Sequence, residues 1–335
     1  MISFERLDIQ KVDWENVYAV GEINIFQTCA WLAFIAETEK AEPVVASVKS
    51  DGNLVGYFTG LMVHRYGMKI LGSPFRGWGT YFMGFNLKQG VSRDEVLQVF
   101  PKFAFKDLGC NYLEIIDPNL VYDGEKGLSY PYNVEALCWY AFDLTKSEDE
   151  ILANMSDSRR KNIRRSIKKG VVIEEANDIE FMDEYYAQFT ETMKKHSMAP
   201  LYDIEYLRIL FKRFFPTGNL LLLRARDADG LCISTQIYLS LNKVAIGWGA
   251  ASWRKCLNLC PNEPLDWYGV KYMKARGMRI LHVGGAAEDY KKWMGCVHVN
   301  IHRLKKAKYA PLDSLLNLVT SPQNSVYRSL MLRKL

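Results

Sequence analysis

The order of structural signals in this chain runs twice. Pro43 to Lys49 reads as a strand, Ser50-Asp-Gly-Asn53 as a tight turn and Leu54 to His64 as the returning strand. Leu220 to Ala225, Asp227-Ala-Asp-Gly230 and Leu231 to Ser240 read the same way. A third strand follows each hairpin, around Lys69–Leu71 and over Val244–Ala250. A helix comes next. In the first half it is Ser92 to Leu108, with Val96, Val99, Phe100 and Phe103 on its apolar side and Pro101 expected to kink or split it. In the second half it starts at Pro264 and runs to about Arg276. Gly109 and Gly277 close these helices, and Tyr112–Ile116 and Arg279–Val283 are strands. The turn glycines Gly52 and Gly230 lie 178 positions apart and the helix-closing pair 168 apart. One hairpin is ordinary. The same four-part order at nearly constant offset points to an α/β (α+β) protein of two similar units with mixed, mostly antiparallel sheets, and to an internal duplication.

A helical bridge separates the halves. Ser147-Glu-Asp-Glu150 has the form of a capping box. Asn177 or Asp178 opens a helix with Phe181, Tyr185, Phe189 and Met193 at four-residue spacing, and Asp203 opens another with Leu207, Leu210, Phe211 and Phe214 before Pro216. These stripes read as packing surfaces. Between them Ser156 to Gly170 holds seven Lys/Arg and one Asp. As a helix it has one apolar stripe, Ile163 and Ile167, with Ser156 or Ser158 as N-cap and Gly170 as the left-handed terminator. So dense a basic cluster fits phosphates or an acidic polymer, or is a solvated face.

The basicity is local. Residues 1–150 carry 13 basic and 21 acidic side chains and residues 151–335 carry 30 and 17. The basic half therefore calls for an anionic partner. The chain starts without a signal-like segment and holds no apolar run long enough to span a membrane, so a cytoplasmic location is expected, and its seven cysteines read as reduced thiols. Cys256, Cys260, Cys296, His298 and His302 do not have the spacing of a zinc site, and no metal is expected.

Several segments resemble the FemAB-like branch of the GNAT superfamily, the peptidoglycan aminoacyltransferases and their acyltransferase relatives. Ile25-Phe-Gln-Thr-Cys-Ala-Trp31 resembles an early F-Q-S-x-x-W signature. Ser158-Arg-Arg-Lys-Asn-Ile-Arg-Arg-Ser-Ile-Lys-Lys-Gly-Val171 is similar to S-x-R-R-N-I-R-K-A-x-K-x-G-V, the most specific match. Gly218 to Arg226 with Asp229-Gly230, Cys260-Pro-Asn262, Gly277 to Gly285 and Tyr290-Lys-Lys-Trp-Met-Gly295 resemble later elements. The resemblance spans nearly the whole chain. It implies two tandem GNAT-like domains and transfer of an acyl or aminoacyl group to an amine, commonly on a cell-envelope or polysaccharide precursor. The sequence departs from the family at Leu281-His282, where a Phe-Asp pair is usual, and lacks both the long helical-hairpin insertion and the pyrophosphate loop of ordinary acetyltransferases. The donor thus stays open between an acyl-CoA and an aminoacyl-tRNA, with no tightly bound cofactor.

The expected domains are 1–146, 147–308 including the basic helix 158–169, and a helical tail over 309–335 that could pack on the first domain. No Gly-x-Ser-x-Gly or Cys/His nucleophile is evident, so direct attack in a ternary complex is expected. His282 and His298 flank the late Gly-Gly segment, and His282 is the base candidate, pointing away from the Leu281/Val283 face. The resemblance places Lys291 as the cation that holds a phosphate or meets the oxyanion, with Tyr290 beside it. Arg160, Arg164, Lys168 and Lys169 are candidates for substrate phosphates or tRNA. Arg76 and Trp78, in a glycine-rich loop, are candidates for the acceptor side. Arg303 to Lys308 either extends the basic surface or solvates a terminal strand. A phosphate-bearing or acidic substrate is the expected partner, with peripheral contact to a membrane-bound precursor. A nucleic-acid-binding module and a non-catalytic GNAT-fold interaction protein are the alternatives.

Overall fold

The structure is a computed structural model and describes residues 1–309 apart from 66, 76–77, 123–127, 129–130, 196 and 198. In chain order it begins with β1 (Ile2–Arg6), α1 (Trp14–Ala19), α2 (Cys29–Glu39), β2 (Glu42–Ser50), β3 (Asn53–Arg65), β4 (Met68–Ser73), β5 (Gly84–Leu87), α3 (Arg93–Lys102), β6 (Tyr112–Ile116) and β7 (Asn133–Leu137). It continues with β8 (Tyr140–Asp143), α4 (Glu148–Asn154), α5 (Asp157–Lys168), β9 (Val172–Glu175), α6 (Glu180–Lys195), α7 (Ile204–Phe214), β10 (Leu220–Arg226), β11 (Cys232–Leu241) and β12 (Val244–Ser252). It closes with α8 (Asn262–Ala275), β13 (Ile280–Gly284), α9 (Glu288–Trp293), β14 (Val297–His298) and β15 (Ile301–Ala307).

Two units result, Met1–Leu137 with the chain from Asn300 onward, and Cys138–Val299. The first sheet runs β1-β2-β3-β4-β6-β15-β7, with β5 attached to β3, and the second runs β9-β10-β11-β12-β13-β8-β14. Place for place the pairings agree. β4 and β6 are parallel, as are β12 and β13, and the other neighbours along both orders are antiparallel. The repeat read from the sequence is therefore a repeat of topology, and the architecture is two similar α/β units in tandem.

The unit boundary differs from the 146/147 position expected, because β8 pairs with β13 in the second sheet, Leu281 opposite Phe142. The last strand differs as well. β15 fills the sixth place of the first sheet, between β6 and β7. Arg303 is buried there, 2.7 Å from Glu114 and 3.4 Å from Glu135, and Lys305 lies 3.1 Å from Glu135. These cations neutralise carboxylates inside one sheet, so the expectation of a free basic surface at Arg303 and Lys305 is corrected. The tail expected beyond Tyr309 lies outside the described residues, as does Arg76.

The first core is aromatic, with Phe58, Phe85 and Phe100 fully buried and Phe58 and Phe100 centred 4.6 Å apart. Pro101 ends the regular part of its helix. It has no N–H for the Leu97 carbonyl, which accepts instead from Tyr132 Oη at 2.8 Å, and the chain widens into a π turn over Phe103–Asp107. The second core includes Leu223, Ile233, Leu265, Val270 and Leu281.

Helix α5 ends as its sequence demands. Gly170 has φ +80, Gly170 N–H donates to Ile167 O at 3.0 Å and Val171 N–H to Ser166 O at 3.2 Å, a Schellman closure. Its buried face is not the expected one. Ile163 and Ser166 are buried while Ile167 is 62% exposed, since an i,i+3 pair rather than i,i+4 faces the core. Neither Ser156 nor Ser158 caps it through a side chain, the two hydroxyls lying 3.0 Å from one another.

Candidate active site in the second unit

Four elements of the second unit converge at the C-terminal end of β13. Gln236 and Tyr238 lie two apart on β11 and share one face of the sheet. Glu263 and Asp266, three apart, share one face of the start of α8. β13 ends at Gly284 with φ +75, and a Cβ on the next residue, Gly285, would stand 2.1 Å from Cys138 O, so only glycine fits that close passage. Ala287, at φ +54, then turns the chain into α9 and delivers Tyr290 and Lys291.

Asp266 is the centre of this group. Its Oδ1 accepts from Gln236 Nε2 at 2.8 Å and its Oδ2 from Tyr290 Oη at 2.6 Å. Tyr238 Oη in turn donates to Gln236 Oε1. The ring of Tyr238 fits because α8 carries Gly269, where a Cβ would lie 2.5 Å from it. Burial pushes the Asp266 carboxyl up to about 6, against the lowering effect of the Tyr290 and Gln236 hydrogen bonds. Burial, with Asp266 adding to it, raises the Tyr290 hydroxyl far above its ordinary range. Lys291 is half-buried, and burial lowers its ammonium, opposed by Cys296 and Asp266. Its Nζ lies 3.7 Å from where a Cβ on Gly284 would be and has no hydrogen-bond or ion-pair partner among the described residues.

A second layer holds this group from behind. Glu263, 4% exposed, pairs with Arg159 and accepts from Asn162 Nδ2 at 2.8 Å. The Arg159 guanidinium sits 5.0 Å from the centre of the Tyr290 ring and 5.1 Å from that of Trp293. Ser156 N–H donates to Trp293 O at 2.8 Å, tying the start of α5 to the end of α9. Arg159→Leu is expected to destabilise the protein by about 3–5 kcal/mol, because it strands the Glu263 carboxylate inside the unit. Denaturant unfolding of Arg159→Leu beside Arg159→Leu/Glu263→Leu checks this, and the double variant should recover much of the loss.

Most of the other sequence-derived candidates are engaged elsewhere. Arg160 donates to Ala153 O at 2.9 Å, Leu152 O at 3.3 Å and Met155 O, and so caps the end of α4. Lys169 donates to Asn258 O at 2.9 Å. Arg164 and Lys168 are exposed on α5. Trp78 is 3% exposed, its ring 5.4 Å from Phe75 within the first unit. His282 is 5% exposed in β13 between Ile246 and Ala141 on its neighbours, and burial lowers its imidazole to about 4, so it is neutral at physiological pH. Among the described residues no three His, Cys, Asp or Glu are grouped to hold a metal, and no helix is long and apolar enough to cross a membrane.

Asp266, Gln236, Tyr238, Glu263 and Arg159 were not singled out for this site by sequence reasoning. Arg159 lay within the conspicuous basic run. Asp266 had a weaker signal, a carboxylate on the mostly buried face of a helix next to Leu265. The strands beside the site also diverge. β12 pairs with β13 only over Val244–Ile246, and a register irregularity opposite Gly247–Gly249 bends it away.

Residues 157–292 match the family model described as an acetyltransferase (GNAT) domain, a span that opens at α5 and closes one residue past Lys291. The crystal structure of FemX is similar over 94% of this chain and 99% of its own, at TM-score 0.71 and 14% identity. A tandem GNAT protein from the clavulanic acid biosynthesis pathway is similar over 92% and 98% of the two chains, at 0.55 and 10%. L-PGS from Bacillus licheniformis is similar over 94% and 99%, at 0.54 and 12%. At such identities the likeness is one of fold. A search of the curated proteins found no match. The comparisons thus show a GNAT domain over residues 157–292 within a tandem GNAT-like fold. Its two-unit fold is similar to that of FemX, and the GNAT acetyltransferase domain lies in the second unit.

Proposed function

We propose that the protein is an N-acyltransferase that uses Asp266 and Lys291 to move an acyl or aminoacyl group from an activated donor to an amine of a cell-envelope precursor. One observation carries this reading: a carboxylate raised to about 6 and an ammonium with no hydrogen-bond partner among the described residues lie within electrostatic reach of one another near the end of β13. A carboxylate of that affinity is ionised at neutral pH yet basic enough to take a proton from an attacking ammonium. Asp266 takes it directly or through the Tyr290 hydroxyl that already bonds it. As the C–N bond forms, negative charge gathers on the carbonyl oxygen, and Lys291 Nζ stabilises it. Collapse of the adduct breaks the C–S bond to coenzyme A or the C–O bond to a tRNA ribose. The Lys291 ammonium gives its proton to the leaving group and is recharged by the proton that the new amide nitrogen sheds, while Asp266 keeps the one it took from the attacking ammonium.

Donor and acceptor belong to this proposal. An acyl-CoA fits the GNAT match, and the tandem GNAT relative is described with reference to AcCoA. An aminoacyl-tRNA fits the FemAB-like architecture. The test incubates the purified chain with labelled acetyl-CoA, a longer acyl-CoA or aminoacyl-tRNA, each with an amine-bearing peptidoglycan precursor, and follows label into the acceptor. Label transferred from one donor supports the reading. Equal label with Lys291→Met, or none from any donor to any amine offered, sinks it.

A further inference from the structure

The outer face of α5 lies apart from the Asp266 cluster. Arg159, Ile163 and Ser166 occupy the inner side of the helix, whereas Lys161, Arg164, Arg165 and Lys168 are exposed and their side chains have no ion pair or hydrogen bond among the described residues. Arg254 and Lys255 are exposed on the short helical segment Arg254–Leu259, which Lys169 Nζ reaches through Asn258 O at 2.9 Å. Such a surface alone would be a solvated basic face.

Exposed aliphatic side chains gather around the same point. Ile167 is 62% exposed, Val172 60%, Leu231 46% and Leu257 46%. All four adjoin the Gly170 closure. Ile167 and Val172 flank it in sequence, and a Cβ on Gly170 would lie 3.1 Å from Ala228, in the turn that ends at Leu231. Leu257 precedes the carbonyl that binds Lys169. Of the acids nearby, Asp227 is held by the N–H groups of Asp229 and Leu231 at 3.1 and 2.9 Å, and Asp229 and Glu175 stand exposed at the margin.

We infer that this face docks the protein on an anionic lipid bilayer. Unpaired cations meet the negative surface potential, and aliphatic side chains among them enter the interfacial layer. A single-stranded nucleic acid would use aromatic platforms beside its cations. Here the exposed apolar groups are aliphatic. The inference rests on the surface itself and holds whichever donor the active site takes.

The experiment sediments the full-length chain with vesicles of phosphatidylcholine alone or with added phosphatidylglycerol. Binding should require phosphatidylglycerol and weaken with salt. Lys161→Gln, Arg164→Gln, Arg165→Gln and Lys168→Gln should each lower partitioning about fivefold, and the four together should abolish it. Ile167→Ser with Leu257→Ser, which leaves the charge unchanged, should lower it about tenfold. Should the quadruple charge variant misfold by thermal unfolding, the apolar pair tests the same surface independently. No phosphatidylglycerol-dependent binding overturns the inference. Wild-type vesicle binding by the apolar pair, together with displacement of the protein from vesicles by tRNA, also overturns it and makes this a nucleic-acid face.

Discussion

Lys291→Met is expected to lower kcat about a hundredfold or more while changing KM little. Losing one well-placed donor to an oxyanion typically costs ~3 kcal/mol of transition-state stabilisation. The ground-state carbonyl carries little charge, so a group that acts on the developing oxyanion shows in kcat rather than in binding. Stability should hardly move, because Nζ makes no ion pair among the described residues and its half-buried site already lowers the ammonium. Lys291→Arg should restore part of the rate, the charge being kept while reach and geometry change. Steady-state kinetics on the donor and amine identified by the labelling screen decide it. An effect confined to KM would make Lys291 a phosphate clamp instead.

Asp266→Asn should remove the acid limb of the pH profile as well as rate. With the carboxyl near 6, kcat/KM in the wild type rises as pH passes through about 6 and then levels as Asp266 becomes fully ionised. Loss of a general base costs roughly 10²–10⁴-fold, and the amide variant should be slow at every pH, with no inflection near 6. Stability has its own sign. The folded pKa lies above the ordinary aspartate value of 3.8, so the native state holds the proton more tightly, and this contribution is lost as pH rises through about 6. Asp266→Asn is free of that loss. Its stability relative to wild type should therefore improve between about pH 4 and pH 7, as measured by denaturant unfolding across that range. A wild-type inflection near 6 that persists in the variant would take Asp266 out of the mechanism.

The site was legible in the sequence only in part. Lys291 and Tyr290 stand out through the resemblance of Tyr290 to Gly295, a contiguous signal. The basic run draws attention to α5, yet its structure divides those cations by direction. Arg159 turns inward to Glu263 and the Tyr290 ring, Arg160 folds back on α4, and Arg164 and Lys168 face outward. A charge count cannot separate these roles, because each follows from the rotation of the helix and from what lies across it. The Ile163/Ile167 expectation missed for the same reason. His282 alternates as a strand residue should, but strands on both sides and the surrounding unit leave it buried and neutral.

By itself the sequence determined the local elements and their repetition. Turn glycines, helix caps and apolar spacing act within one or two turns of chain, so the hairpins, the closure at Gly170 and the break at Pro101 follow from residues close in sequence. Tertiary structure decided the sixth place of each sheet, where β15 and β8 enter out of chain order, and so drew Arg303 to Glu114. It also decided the candidate catalytic group, since Gln236, Asp266 and Tyr290 come from three separate elements and share hydrogen bonds only once β11, α8 and α9 have packed. The elevated Asp266 carboxyl exists for that reason too. Desolvation depends on everything that surrounds a residue in space, and neighbours along the chain supply little of it.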